Sequence, residues 1–307
     1  MKPGWVAGVT RARLMLSRAL GAEQSLRIAT CPTLEQAVSA LAPSAYGERV
    51  RTGADLDSVR RGVADTLLWH LRVLAGWLPP AGTGVVRALA AWFELQNIDA
   101  RLAALAGERR EPGPFELGSL ATAWPRLEQA RTTEALAAAL AASAWGDPGG
   151  HAPAEISLGV RVEWVRRVHA AVPEASGWAA GAGALLIARE RFVAPARTNE
   201  AQLRRLPGVG DPAMTAGSIA ALRAHLDPRA AWALAGIEEP HELWRAELRW
   251  WERVGDDAAA LLGRADQATV PAAVALLGAD AERTARALEI AAAGSGSELL
   301  GVFDGSA

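Results

Sequence analysis

The chain has 307 residues, enough for one elongated domain or two to three small ones, and its 50% hydrophobic and 21% charged residues exclude an intrinsically disordered protein. The formal net charge of −2 lacks the basic excess with which duplex-binding proteins neutralise phosphates. Lys2 is the only lysine, which excludes an internal phosphate-binding, Schiff-base or general-base lysine.

The N-terminal segment and the single cysteine bear on the compartment of the protein. Residues 1–9 are too short and too interrupted to predict a signal peptide. The apolar stretch Gly177–Ile187 is too short for a membrane span, so the sequence predicts none. Cys31 has no second cysteine for a disulfide or a cysteine-rich zinc site, which favours a reducing, intracellular compartment.

The first clear element is a helix that begins after Thr33. Thr33 is the predicted N-cap residue, with Gln36 three residues later as its capping-box partner. The apolar residues that follow lie on one helical face. They are Leu34, Val38, Leu41 and Ala45.

The stretch 85–107 predicts a second amphipathic segment that ends at Gly107, a residue typical of a helix C-terminus. Its apolar positions are Leu95, Ile98, Leu102 and Leu105. Strand signals are scarce, and alanine, leucine, arginine and glutamate dominate, so the whole chain is predicted to be α-helical. Proline- and glycine-rich breaks lie at residues 78–82, 111–114, 146–150 and 206–212.

An internal repeat relates two of these segments. TLEQAVSALAPSAYG (33–47) aligns without a gap with TTEALAAALAASAWG (132–146), at a constant offset of 146 − 47 = 99 residues. The ending Ser-Ala-aromatic-Gly is the specific part, because alanine identities arise by chance. A fainter third copy is predicted at 269–282, and three units of about 100 residues would fill the chain.

No sequence motif predicts a catalytic, cofactor or metal site. The paired glycines at 81–86 and 179–186 lack the third glycine and the preceding strand of a nucleotide-binding loop. HELWRAEL (241–248) has Arg245 where a zinc-protease helix needs its second histidine. The histidines are scattered, so each is predicted to be a surface or packed residue. They are His70, His151, His169, His225 and His241.

Tryptophan supplies most of the large aromatic volume, with twelve residues against four phenylalanines and one tyrosine. Core packing is the predicted role of most of them, although Trp69, Trp77 and Trp92 could instead form an aromatic platform. Trp250 and Trp251 point about 100° apart on a helix and cannot both face one core. We therefore expect one of these two at an interface.

The order of several weak motifs resembles one family. In VVRALAAWFELQNIDARLAALAGERRE (85–111) an aliphatic helix carries an acidic residue, then Asn-Ile, then an arginine and a glycine. This resembles the hallmark segment of one component of the V-type and A-type rotary ATPases, the rotor adaptor that is lettered C, or d in eukaryotes. Three further segments resemble the same family: the Arg-x-Arg opening helix at 11–20, the helix that ends in Tyr-Gly at 34–47, and the closing helices at 247–292. The residues at its motif positions are Arg11, Arg13, Tyr46, Gly47, Glu94, Asn97, Ile98, Arg101 and Gly107.

The resemblance implies three stacked helical bundles that form a funnel, with units at 1–113, 114–209 and 210–307. It implies a non-catalytic rotor adaptor without cofactors. The adaptor links the central-stalk subunits to the membrane proteolipid ring and transmits rotation for proton or sodium transport. Its implied place is cytoplasmic and peripheral, at the inner face of the membrane. The segment 183–203 departs from the family because it lacks a clear Asn-Ile or Asn-Leu.

Two other functions remain as alternatives. Leu206–Gly210 with Arg204 and Arg205 is typical of a helix–hairpin–helix that holds a nucleic-acid phosphate, although the near-neutral charge favours a structural turn there. As part of a structural turn, Asp211 or Thr215 would cap the following helix. A helical enzyme with an unrecognised site in a central cavity is the third hypothesis.

Overall fold

The computed structural model describes residues 3–108, 112–194, 199–264 and 266–294. These residues form helices and turns, with no strand among them, so the predicted all-α class is confirmed. Short 3-10 helices and a π-helical turn at Arg189–Val193 connect some of the α-helices. The α-helices are α1 (Val6–Leu16), α2 (Gly21–Ala29), α3 (Leu34–Leu41), α4 (Leu56–Gly76), α5 (Pro80–Ala90), α6 (Trp92–Leu105), α7 (Trp124–Leu127), α8 (Thr133–Ala141), α9 (Pro153–Ala171), α10 (Ser176–Ala188), α11 (Glu200–Leu203), α12 (Asp211–Met214), α13 (Ile219–His225), α14 (Pro228–Ala231), α15 (Leu243–Leu262) and α16 (Thr269–Ala293).

Local sequence signals set several helix ends. The side chain of Thr33 accepts a hydrogen bond from the Gln36 amide at 3.3 Å, so its predicted N-cap role is confirmed. Gly107 follows the C-cap of α6 with a φ of +88°, a conformation that glycine adopts without strain. The predicted apolar face of α3 holds for Val38 and Leu41, which are buried, whereas Ala45 lies beyond the end of the helix.

The chain packs into two compact units. Unit 1 comprises Met1–Val86 and Val254–Ala307, and unit 2 comprises Arg87–Arg253. The boundaries fall inside α5 and α15. This division differs from the three consecutive units predicted at 1–113, 114–209 and 210–307, whose arrangement as a funnel stays a prediction.

Unit 1 is organised around α16. This helix packs against α1, α2, α3 and α4, so a segment from late in the chain completes a bundle begun early in it. The shared core is aliphatic and alanine-rich, and α16 contributes Leu288, Ile290 and Ala291 to it. Burial of this apolar surface stabilises the unit.

Unit 2 is organised around α10, which packs against α9 and α14. The glycines and alanines of α10 let large rings approach its backbone. A Cβ at Gly181 would lie 2.6 Å from Cζ2 of Trp232 and 3.2 Å from Cδ1 of Trp250. Trp250 also donates a hydrogen bond from its indole nitrogen to the Trp178 carbonyl at 2.9 Å.

The two clear copies of the internal repeat have the same local geometry. In each copy a threonine caps the short helix, Thr33 for α3 and Thr132 for α8. A serine then turns the chain: the Ser44 hydroxyl contacts the Leu41 carbonyl and the Tyr46 amide, and Ser143 makes the equivalent pair of bonds. The predicted third copy at 269–282 differs, because these residues lie within the single continuous helix α16.

Candidate functional site

The motif residues of α6 lie on one helical face and bind the backbone of the segment that follows the helix. Glu94, Asn97 and Arg101 are spaced at i, i+3 and i+7, which places them on neighbouring turns. The amide of Asn97 pairs with Phe115, accepting from its N–H at 2.6 Å and donating to its carbonyl at 3.0 Å. Arg101 donates from Nε to the Ala130 carbonyl at 3.0 Å. These side chains thereby fix the segment 115–130 on α6.

Glu94 is fully buried and its carboxylate is saturated with donors. It accepts hydrogen bonds from the amides of Thr122 at 2.5 Å and Ala123 at 2.7 Å, just before α7. The indole nitrogen of Trp145 donates a third bond at 3.1 Å. A carboxylate bound in this way joins three separate segments of unit 2.

The guanidinium group of Arg167 covers the Trp145 ring, with its Cζ 5.0 Å from the ring centroid. Burial lowers the pKa of Arg167, and the negative charges of Glu163 and Glu94 oppose that shift. Trp145 therefore contacts a buried carboxylate through its indole nitrogen and a half-buried cation through its ring.

Unit 1 contains a matching arrangement around Asp280 of α16. Its carboxylate accepts from the amides of Leu20 at 3.0 Å and Gly21 at 2.8 Å, at the start of α2. The hydroxyl of Tyr46 donates a third bond at 2.8 Å. Tyr46 is the repeat partner of Trp145, so each repeat ends in an aromatic donor that binds a buried carboxylate.

Asp280 is not among the residues predicted from the sequence. The one available signal was an acidic residue in the apolar run TVPAAVALLGADAE, at a helix position flanked by alanines. Its partner Tyr46 lies 234 residues away, so no local spacing connects the two.

The Tyr46–Asp280 bond predicts a pH effect on stability. Burial and the charge of Asp280 raise the pKa of Tyr46 well above its usual value. Above pH about 10 the unfolded chain loses this proton while the folded chain keeps it, so stability falls by about 1.4 kcal/mol per pH unit. Tyr46→Phe is expected to lower the free energy of unfolding by about 2 kcal/mol at neutral pH and to remove that alkaline slope.

Denaturant unfolding at a series of pH values measures both effects. Since Tyr46 is the only tyrosine, tyrosinate absorbance reports on it alone and should appear in the wild-type chain only on unfolding. Tyrosinate formation near the usual tyrosine pKa, without unfolding, would contradict the prediction.

The remaining motif positions are structural in different ways. Ile98 is buried in unit 2, and Gly47 lies so close to the Ala42 carbonyl that a Cβ would overlap it. Arg13 reaches the Leu262 carbonyl at 3.4 Å, and the Nε of Arg11 is buried without a hydrogen bond. Residues 109–111, at the end of the hallmark stretch, lie outside the described residues.

The adjacent tryptophans of α15 differ in their contacts. Their rings are in edge contact, with centroids 4.9 Å apart, and both side chains are half-buried. Trp250 is held inside unit 2 by its bond to Trp178, which leaves Trp251 as the candidate interface residue. The alternative to core packing was an aromatic platform of Trp69, Trp77 and Trp92. All three side chains are exposed, and so is that of Trp244.

The Leu206–Gly210 segment is a turn whose arginines already have acidic partners. Arg204 pairs with Glu200 and Asp211, and Arg205 pairs with Glu163. Leu206 is buried, and Gly208 has a φ of +75°, which favours glycine. These contacts favour a structural turn over a phosphate-binding one.

The predicted caps after this turn were wrong. The N-cap of α12 is Gly210, and Thr215 lies at the other end of that helix, where its hydroxyl contacts the Pro212 carbonyl. The side chain that caps the next longer helix, α13, is Ser218.

Across residues 3–108, 112–194, 199–264 and 266–294, no group of three or more histidine, cysteine or acidic side chains is placed to hold a metal ion. In the same residues, no helix combines the length and the apolar character that a membrane crossing requires. Glu94 and Asp280 are buried and fully hydrogen-bonded, so the geometry assigns them to structure rather than to acid–base chemistry.

No protein-family model matches the chain, and no curated protein matches it. The resemblance to the rotary-ATPase rotor adaptor therefore rests on the motif residues of the sequence.

Proposed function

We propose that the chain is a non-catalytic rotor adaptor of a V-type or A-type rotary ATPase. In this role it links the central-stalk subunits to the membrane proteolipid ring and transmits rotation for proton or sodium transport. Its place would be cytoplasmic and peripheral, at the inner face of the membrane. The proposal assigns it no catalytic residue and no cofactor.

The observation that carries the proposal is that the residues of α6 at the family's motif positions bind the backbone of the following segment. Glu94, Asn97 and Arg101 all bind backbone groups, and together they attach the segment 115–130 to a helix. A part that transmits torque needs segments fixed to one another. Side chains that bind backbone at several points supply that stiffness, because each bond restricts the relative movement of the joined segments.

The second support is that unit 1 repeats the device with different residues. Tyr46 and Asp280 replace Trp145 and Glu94, and the paired backbone amides recur at the start of a helix. The shared geometry of the copies at 33–47 and 132–146 supports two of the repeats that the resemblance implies. The ion pairs of Arg204 and Arg205 make the nucleic-acid alternative the weaker proposal.

Capture by purified rotary-ATPase parts tests the proposal. The tagged chain is expected to retain central-stalk subunits and proteolipid rings from the same source, and Trp251→Ala is expected to weaken stalk binding about tenfold. The control is Trp244→Ala, which removes an exposed tryptophan of the same helix, because replacing Trp250 would also break its hydrogen bond within unit 2. Failure to retain either stalk or ring at micromolar concentration would contradict the proposal.

A further inference from the structure

A cluster of arginines surrounds exposed apolar side chains on the α1 and α4 helices of unit 1. On α1, Arg11 and Leu14 are spaced at i and i+3, so they share one side, and Arg18 lies in the turn that follows the helix. Leu14 is 45% exposed, although leucine is more often buried. The end of α1 and the turn after it therefore combine two cations with an exposed aliphatic residue.

The neighbouring part of α4 adds an exposed indole. Trp69 is 42% exposed, and its ring makes an edge contact with His70 at a centroid distance of 5.1 Å. Helices α1 and α4 pack against each other, and the Trp77 carbonyl lies 3.1 Å from where a Cβ on Gly8 would be. Trp77, at the end of α4, is itself exposed.

Arg49 is adjacent to α4 as well, because its carbonyl lies 2.5 Å from where a Cβ on Gly62 would be, and the charges near His70 agree with this placement. Burial is the largest cause that lowers the pKa of His70, and the positive charges of Arg11 and Arg18 lower this pKa further. Glu48 raises the pKa of His70, and Arg49 lowers it. His70 thus lies in the field of three arginines and one carboxylate.

These three arginines differ from other arginines of the described residues in their ion pairs. Within the described part of the chain no ion pair forms to Arg11, Arg18 or Arg49, whereas Arg161, Arg189 and Arg205 elsewhere are all paired. Arg18 and Arg49 are also exposed, so their charge is available to an external anion, and the half-buried Arg11 adds positive charge behind them. We call the surface formed by Arg11, Leu14, Arg18, Arg49 and Trp69 the arginine–tryptophan face.

We propose that the arginine–tryptophan face docks onto an anionic lipid surface. Basic side chains near a bilayer are attracted to acidic headgroups, and exposed indole and aliphatic side chains enter the headgroup region beside them. The face has both parts, with a net positive charge complementary to such a surface. It lies on unit 1 alone, so the proposal stands whether or not the chain is a rotor adaptor.

Vesicle sedimentation with the purified full chain tests this. The chain is expected to bind phosphatidylcholine vesicles that contain phosphatidylglycerol, to bind pure phosphatidylcholine vesicles far less, and to dissociate as salt rises. Arg18→Gln with Arg49→Gln is expected to weaken binding about thirtyfold and to reduce the salt dependence. Trp69→Ala is expected to weaken binding at every salt concentration while keeping that dependence.

Matched control variants remove two arginines or one tryptophan from unit 2, outside the arginine–tryptophan face. Arg126→Gln with Arg131→Gln deletes two exposed arginines of unit 2, and Trp244→Ala deletes an indole that is 40% exposed there. Both controls should bind as the wild-type chain does. Circular dichroism establishes that every variant is folded.

Three results would overturn the proposal. The first is no salt-sensitive preference for the anionic vesicles, and the second is equal weakening by the face variants and the controls. The third is binding of polyglutamate, lost in the Arg18→Gln, Arg49→Gln variant, without binding to the vesicles, which would assign the face to an acidic protein. Because no rotary-ATPase component is present, none of these results depends on the capture experiment.

Discussion

Replacing Glu94 by leucine is expected to lower the free energy of unfolding by about 3–5 kcal/mol. The variant removes the acceptor of three hydrogen bonds, which come from the amides of Thr122 and Ala123 and from the indole nitrogen of Trp145. Because position 94 is fully buried, water cannot replace the lost acceptor. It also leaves the half-buried charge of Arg167 without the nearby negative charge of Glu94. Denaturant unfolding followed by circular dichroism measures the change.

Two further variants separate the carboxylate from the volume of the side chain. Glu94→Gln keeps the size and one acceptor but turns an amide nitrogen toward donors, so a loss of about 2 kcal/mol is expected. Glu128→Gln changes an exposed carboxylate of the same unit and should stay within about 0.5 kcal/mol of wild type. Equal stability of Glu94→Leu and Glu128→Gln would show that the three donors do not depend on Glu94.

Gly159→Ala is expected to destabilise the chain by about 2–3 kcal/mol, because a Cβ at this position would overlap the Pro148 carbonyl. That carbonyl also accepts a hydrogen bond from the Gln202 side chain, so a backbone shift there disturbs a second contact. Gly62 is the related position in unit 1, where a Cβ would lie 2.5 Å from the Arg49 carbonyl. We expect Gly62→Ala to be destabilising for the same reason. The midpoint of urea unfolding reports both.

A third glycine serves as the matched control. Gly177 lies in α10, and apart from its chain neighbours and the nearby backbone of the helix itself, no atom lies within 4 Å of a Cβ added to it. Gly177→Ala is therefore expected to stabilise the chain by about 0.5–1 kcal/mol through the higher helix propensity of alanine. If all three alanine variants had similar stability, close approach of the backbone would not explain the glycines at 62 and 159.

The fold class and several local features followed from the sequence because their causes are local. Helix propensity, the Thr33 cap and the positive φ of Gly107 each depend on a few neighbouring residues. The repeat at 33–47 and 132–146 was visible because a Ser-Ala-aromatic-Gly turn needs specific residues at fixed positions. Its two copies have the geometry that this likeness predicts.

The features that the sequence did not predict depend on contacts between distant residues. Alanine-rich helices resemble one another, so 269–282 looked like a repeat copy although it belongs to the continuous helix α16. Asp280 gains its role only where α16 meets the start of α2 and the turn at Tyr46. The acidic partner of Arg205 is not visible in the local sequence either, since Glu163 lies 42 residues away.

Unit 1 is built from two stretches that are far apart in the sequence, and this order affects how the chain folds during synthesis on the ribosome. Residues 87–253 are contiguous and can fold as soon as they have emerged. Helices α1 to α4 emerge earlier, yet they lack the apolar partner that α16 provides until residues 269–293 are made. We therefore expect helices α1 to α4 to expose their apolar faces during most of translation and to be the part of the nascent chain that chaperones bind. This exposure ends when α16 has emerged and packs against them.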